Sequence, residues 1–172
     1  MATIVVLAGI VAVGWYLGSP LFIRTTADEA LPSARPAAAS AAAPARLPAG
    51  VGTPVSAPPP GPRTTATGEL GHVDALHNGR GTVLLLRTGE DVFLRFDQVA
   101  ITNAPDVHVY LSPDIGGKWS EGTSLYLGPL KATNGSFNYA VPVGTDVATY
   151  RSVVVWCRQF SVLITWADLR TP

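Results

Sequence analysis

The chain has 172 residues, with 12 basic and 12 acidic side chains and a formal net charge of zero. Charged residues make up only 14%, so no basic excess is available to hold phosphates, and nucleic acid is not an expected partner. A single cysteine excludes an intrachain disulfide and leaves three readings of that thiol: inert and buried, reactive, or a metal ligand.

Residues Ala2 to Ile23 carry no charge. That length matches the ~20 residues a helix needs to cross a bilayer. Trp15 and Tyr16 stand near its far end, where an interfacial aromatic belt would place them. A signal peptide is the rival reading, but it normally has a basic leader and a shorter apolar centre, and both are missing here. Residues 1–24 are therefore expected to form an uncleaved, single-pass membrane anchor. Arg24, Arg35 and Arg46 all follow the span. Counted by the positive-inside rule, they would place the rest of the chain in the cytoplasm.

Residues 25–66 are rich in Ala and Pro, hold no aromatic residue and show no apolar periodicity. This composition predicts a disordered or partly polyproline spacer. The folded domain is expected over 67–172, which is long enough to bury a core.

In that domain Glu69 to Val73 reads as a first strand, and the Asn78-Gly79 pair as a turn. Thr82 to Arg87 and Val92 to Phe96 form a hairpin pattern, with Val92, Leu94 and Phe96 on one face. Val107, Val109 and Leu111 share a face of the next strand, with His108 opposite. A Gly-rich loop follows from Ser112 to Gly122. Leu125, Leu127 and Leu130 mark another edge segment, Asn134-Gly135 a turn, and Phe137 to Val141 a short strand.

The most apolar run of the domain is Tyr150 to Leu169. Alternation puts Val153, Val155 and Cys157 on one face and Val154, Trp156 and Arg158 on the other. After a break at Arg158-Gln159, Phe160, Val162, Ile164 and Trp166 line one face of a last strand, with a kinked continuous strand as the rival to a hairpin. Short strands with frequent turn signals and no helix pattern predict an all-β antiparallel sandwich or barrel-like domain.

Hydrolase chemistry has no motif in this sequence. His77 sits at a turn, where a solvated ring is the ordinary state, and His108 sits at a surface or rim position. These two are the candidate metal or haem ligands beside Cys157. Arg158 follows Cys157 and could lower its thiol pKa only if the chain turns there, since strand neighbours point to opposite faces. Trp156 and Trp166 read as core aromatics, or as the lining of a cofactor pocket or an electron path.

An ordered series of short pieces resembles the DM-thirteen domain. The pieces are Gly68-Glu69-Leu70, His77 through Gly81, Leu94-Arg95-Phe96-Asp97, Pro105 through Leu111, Leu127 through Lys131, Gly135, Tyr139-Ala140-Val141-Pro142 and Tyr150 through Phe160. The resemblance spans about Thr67 to Arg170. The sequence departs from the family's pattern at Ala104, where Gly is frequent, and at Ile164-Thr165, where Phe-Gly is frequent.

The resemblance implies an electron-transfer module of cell-surface and secreted proteins, working with a redox partner protein. The family's signature cysteine falls on Cys157. It would then act as a bare redox thiol, or help to bind a prosthetic group such as haem or a metal. The cell-surface setting implies an extracytoplasmic domain, against the arginine count. The alternative is a non-catalytic binding or adhesion sandwich in which Cys157 is structural.

Overall fold

The computed structural model describes residues 24–33 and 61–172, with scattered positions between Val6 and Trp15. The anchor expected over 1–24 lies almost wholly outside the described residues. Among those described, no helix is long and apolar enough to cross a membrane. The disorder expected for the Ala/Pro-rich stretch lies, for 34–60, outside the described residues as well.

Among the described residues, nine strands form two sheets: β1 (Thr26–Asp28), β2 (Arg63–Glu69), β3 (Gly79–Thr88), β4 (Asp91–Ile101), β5 (Val107–Ser112), β6 (Leu125–Pro129), β7 (Asn134–Val141), β8 (Ser152–Cys157) and β9 (Val162–Asp168). One sheet has the order β1-β7-β4-β3-β2 and the other β6-β5-β8-β9. They stack as a sandwich. Val83, Leu85, Leu94 and Phe96 of the first sheet pack within one core with Val109, Leu111, Val153, Val155 and Cys157 of the second. Phe96 stacks on Phe137 at a centroid distance of 5.1 Å, and Tyr139 meets Phe96 edge-on. Tyr139 also ties the sheets together, because its hydroxyl donates to the Pro129 carbonyl and accepts from the Lys131 N–H. Burial pushes this phenol's pKa well above its ordinary value.

The expected sandwich is thus present, and the predicted face of β4 (Val92, Leu94, Phe96) is buried. Five local expectations are corrected. The first strand is Arg63–Glu69, ahead of the predicted Glu69–Val73. The domain therefore begins before residue 67, inside the stretch expected as spacer. Asn134-Gly135 opens β7 and is not a turn. Trp166 pairs with Val154 on the outer face of its sheet, because a bulge between Leu163 and Thr165 breaks the alternation that would have put it with Val162.

The fifth correction concerns Thr26–Asp28, also within the expected spacer. These residues form β1, which pairs parallel with β7 in an otherwise antiparallel sheet, with Ala27 opposite Gly135. Gly135 has φ +103°, and a Cβ there would collide with the Ala27 carbonyl, so this close approach depends on glycine. Side chains secure the segment. The Glu29 carboxylate accepts from Lys131 Nζ at 2.8 Å and from the Asn138 N–H at 2.9 Å. Buried Arg95 donates to the Glu29 carbonyl at 3.1 Å. Desolvation works to raise the Glu29 pKa, but the bonds from Lys131 and Asn138 outweigh it and hold the carboxyl below its ordinary range. β1 and β2 stand at opposite edges of one sheet.

Candidate functional site

β8 carries two different faces. Val153, Val155 and Cys157 point into the core, as alternation predicts. Cys157 is 0% exposed, and its Sγ–H donates to the Pro105 carbonyl at 2.8 Å. That bond uses the thiol proton, so the sulfur sits as a protonated donor among valines. Arg158 does not turn toward it. Its Nε–H donates instead to the Tyr110 hydroxyl at 2.6 Å on the outer face.

The outer face of the β6-β5-β8-β9 sheet holds a continuous row of rings. Trp156 lies 5.1 Å from Trp119, Trp119 lies 4.5 Å from Tyr110, and Tyr110 lies 5.3 Å from Tyr126, all between centroids. His108 follows at 5.6 Å from Tyr126. The Arg158 guanidinium lies over Tyr126 at 4.6 Å and over Tyr110 at 5.6 Å, a cation–π arrangement with both rings. Burial raises the Tyr110 phenol's pKa, with Arg158 pulling it the other way. The same bond raises the guanidinium's pKa. A groove of about 460 Å³, lined by Tyr110, Trp119, Glu121, Trp156 and Arg158 among others, opens along this row.

Strand register explains the row. Tyr110 lies opposite Tyr126 of β6, and His108 lies opposite Trp156 of β8. Trp119 comes from the Gly-rich loop, which is pinned across the sheet by three bonds. Buried Ser112 Oγ donates to the Lys118 carbonyl, buried Ser152 Oγ donates to the Asp114 carbonyl, and the Gly116 N–H donates to Asp168.

At one end of the row His108 is 8% exposed and makes two ring bonds. Its Nε2 meets Asp106 Oδ1 at 2.6 Å and its Nδ1 meets the Tyr126 hydroxyl at 2.9 Å. A carboxylate only accepts, so Nε2 carries the hydrogen. In the neutral ring Nδ1 is then the acceptor, and the Tyr126 hydroxyl donates to it. Asp106 reaches His108 from a left-handed turn residue, φ +59°, that follows Pro105. This turn is held twice, by the Cys157 thiol on the Pro105 carbonyl and by the Arg158 backbone N–H on the Asp106 carbonyl at 3.0 Å.

The three candidate ligands are therefore not brought together. His77 lies on the exposed turn after β2, where its Nδ1 meets Asp74 at 2.8 Å and holds that carboxyl down at about 2. His108 and Cys157 face opposite sides of their sheet. Among the described residues no three His, Cys, Asp or Glu side chains converge on a metal position. Haem or metal ligation by Cys157 does not fit this donor set, since the sulfur is enclosed and shares no face with either histidine.

A family model described as "Electron transfer DM13" matches residues 72–169. The chain belongs to this DM-thirteen electron-transfer family. The match takes in β3 to β9, hence the whole aromatic row, and leaves β1 and β2 outside it. No curated protein and no solved structure matches the chain. Of the row, alternation along β5 and β8 of this DM-thirteen domain assigns His108, Tyr110 and Trp156 to the outer face. Tyr126 and Trp119 carry no such signal, because one sits on a short bulged edge strand and the other in a loop.

Proposed function

We propose that the DM-thirteen domain exchanges single electrons through the aromatic face of its β6-β5-β8-β9 sheet, outside the cytoplasm and on an N-terminal membrane anchor. The observation that carries this reading is the unbroken row Trp156–Trp119–Tyr110–Tyr126, with each ring within 5.3 Å of the next. Electronic coupling falls steeply with distance, so rings in contact support stepwise transfer that isolated rings do not. The groove along the row gives a redox partner protein access to it. The uncharged span Ala2 to Ile23 supports the anchor, and the family's cell-surface setting supports the orientation.

In this reading Cys157 holds the Pro105–Asp106 turn beneath the face and does not itself exchange electrons. A rival form of the same function, with Cys157 as the redox centre, would need the sandwich to open around the sulfur. Oxidation of the protein by photogenerated tris(bipyridine)ruthenium(III) separates the two. Trp119→Phe and Trp156→Phe are each expected to slow oxidation about tenfold, or ~1.4 kcal/mol on the barrier, while Cys157→Ser leaves the rate unchanged. Loss of electron exchange in Cys157→Ser alone would transfer the centre to the thiol. Insensitivity to all three substitutions would leave a binding or adhesion domain.

A further inference from the structure

Resting on the electron-transfer reading, we infer that Tyr126 is a proton-coupled redox site of this domain, with His108 as its proton acceptor and Asp106 as the group that orients His108. With the His108 ring neutral, the hydrogen-bond geometry gives this polarity. Tyr126 donates its phenolic hydrogen to His108 Nδ1, and the Nε2 hydrogen is committed to Asp106. When a strong one-electron oxidant docked on the face, such as a metal-centred partner, removes an electron from Tyr126, the O–H bond breaks. The proton passes to Nδ1. The products are a neutral tyrosyl radical, an imidazolium paired with the Asp106 carboxylate, and the oxidant reduced by one electron. Return of an electron from a reductant reverses both movements.

Two features select Tyr126 from its neighbours. The first is Arg158. Its guanidinium stands 4.6 Å from the Tyr126 ring centre, so an electron cannot leave without placing a positive ring beside a fixed cation. Release of the proton to His108 avoids that repulsion. The second is the contrast with Tyr110, whose oxygen receives the Arg158 Nε–H and so faces a donor where Tyr126 faces a base. Tyr126 is also 43% exposed while Tyr110 is 1% exposed, so the proton-coupled ring is the one a partner can touch. The groups facing this pair are Asp106, Arg158, Glu121 beyond it, and the Tyr110 and Tyr139 phenols.

The test oxidises the full 172-residue chain with photogenerated tris(bipyridine)ruthenium(III) and follows the radical by electron paramagnetic resonance and transient absorption. A tyrosyl radical is expected in the native chain and in Tyr110→Phe, and none in Tyr126→Phe. His108→Gln should form it about a hundredfold more slowly, the ordinary size of a general-base contribution. Its rate should then rise with added buffer base, which the native rate should not. Thermal melts check that each variant folds. Slower radical formation of the unaltered chain in deuterium oxide than in water is expected, and needs no substitution. A radical that persists in Tyr126→Phe, or an unchanged rate and pH profile in folded His108→Gln, overturns the inference. If the radical instead settles on Trp119 or Trp156, the proton-coupled site is refuted and the electron-transfer face stands. If the folded chain is oxidised no faster than the unfolded chain, both fall.

Discussion

Replacing Cys157 by alanine removes one buried atom and one hydrogen-bond donor, and leaves the Pro105 carbonyl without its thiol partner. The expected cost is about 1–3 kcal/mol, measured by denaturant unfolding. Cys157→Ser keeps a donor at the same place and should lose less. The native thiol should react with a maleimide only at the rate of unfolding. At this scale alternation alone placed Cys157 in the core and Trp156 and Arg158 on the opposite face, and both placements hold. What alternation could not supply was the destination of the long side chains. Adjacency in sequence suggested that Arg158 serves the thiol, whereas its strand position carries it away to Tyr110 and Tyr126. Alternation put His108 opposite the apolar face, at a surface or rim position. His108 and Tyr110 prove to be covered by Tyr126 and Trp119, residues supplied from β6 and from a loop.

The element with the most to test is β1. A chain beginning at Gly61 keeps β2 but lacks β1. It exposes the edge of β7, and Arg95, itself 7% exposed, loses its bonds to the Glu29 and Ala30 carbonyls. A loss on the order of 2 kcal/mol is expected against the full chain, read as a lower melting temperature. The spacer reading predicts no change. Acid gives a second measurement. The docked Glu29 has a lowered pKa, so its contribution is complete above the ordinary glutamate value of ~4.3 and is lost as pH falls through the lowered one. Glu29→Gln should remove that part of the acid sensitivity. Sequence did not disclose β1, because three residues cannot show a two-residue period. Its partner lies about a hundred residues away, and the proline-rich stretch that follows masks it compositionally.

For the whole molecule, two stacked sheets were legible from apolar strands separated by turn signals. The mixed character of the larger sheet was not, since the one parallel pair among the described residues joins β1 to β7. Membrane orientation is where two readings of the sequence oppose each other. Arg24, Arg35 and Arg46 argue for a cytoplasmic domain and family membership for an outside one. Protease added to intact cells is expected to digest the domain. Protection until lysis would reverse the assignment.

The docking of β1 also bears on how far the domain can travel. If, as proposed, a bilayer span ends at Ile23, only Arg24 and Thr25 would separate lipid from sheet, and the docked domain would ride against its own membrane and meet partners in the same plane. Were β1 to detach, the leash would lengthen at once to Gly61, on the order of 100 Å at ~3.1 Å per residue if extended. The chain would then have two reaches, one for neighbours alongside it and one for a facing surface. The bonds around Glu29, Lys131 and Asn138 would hold it at the shorter.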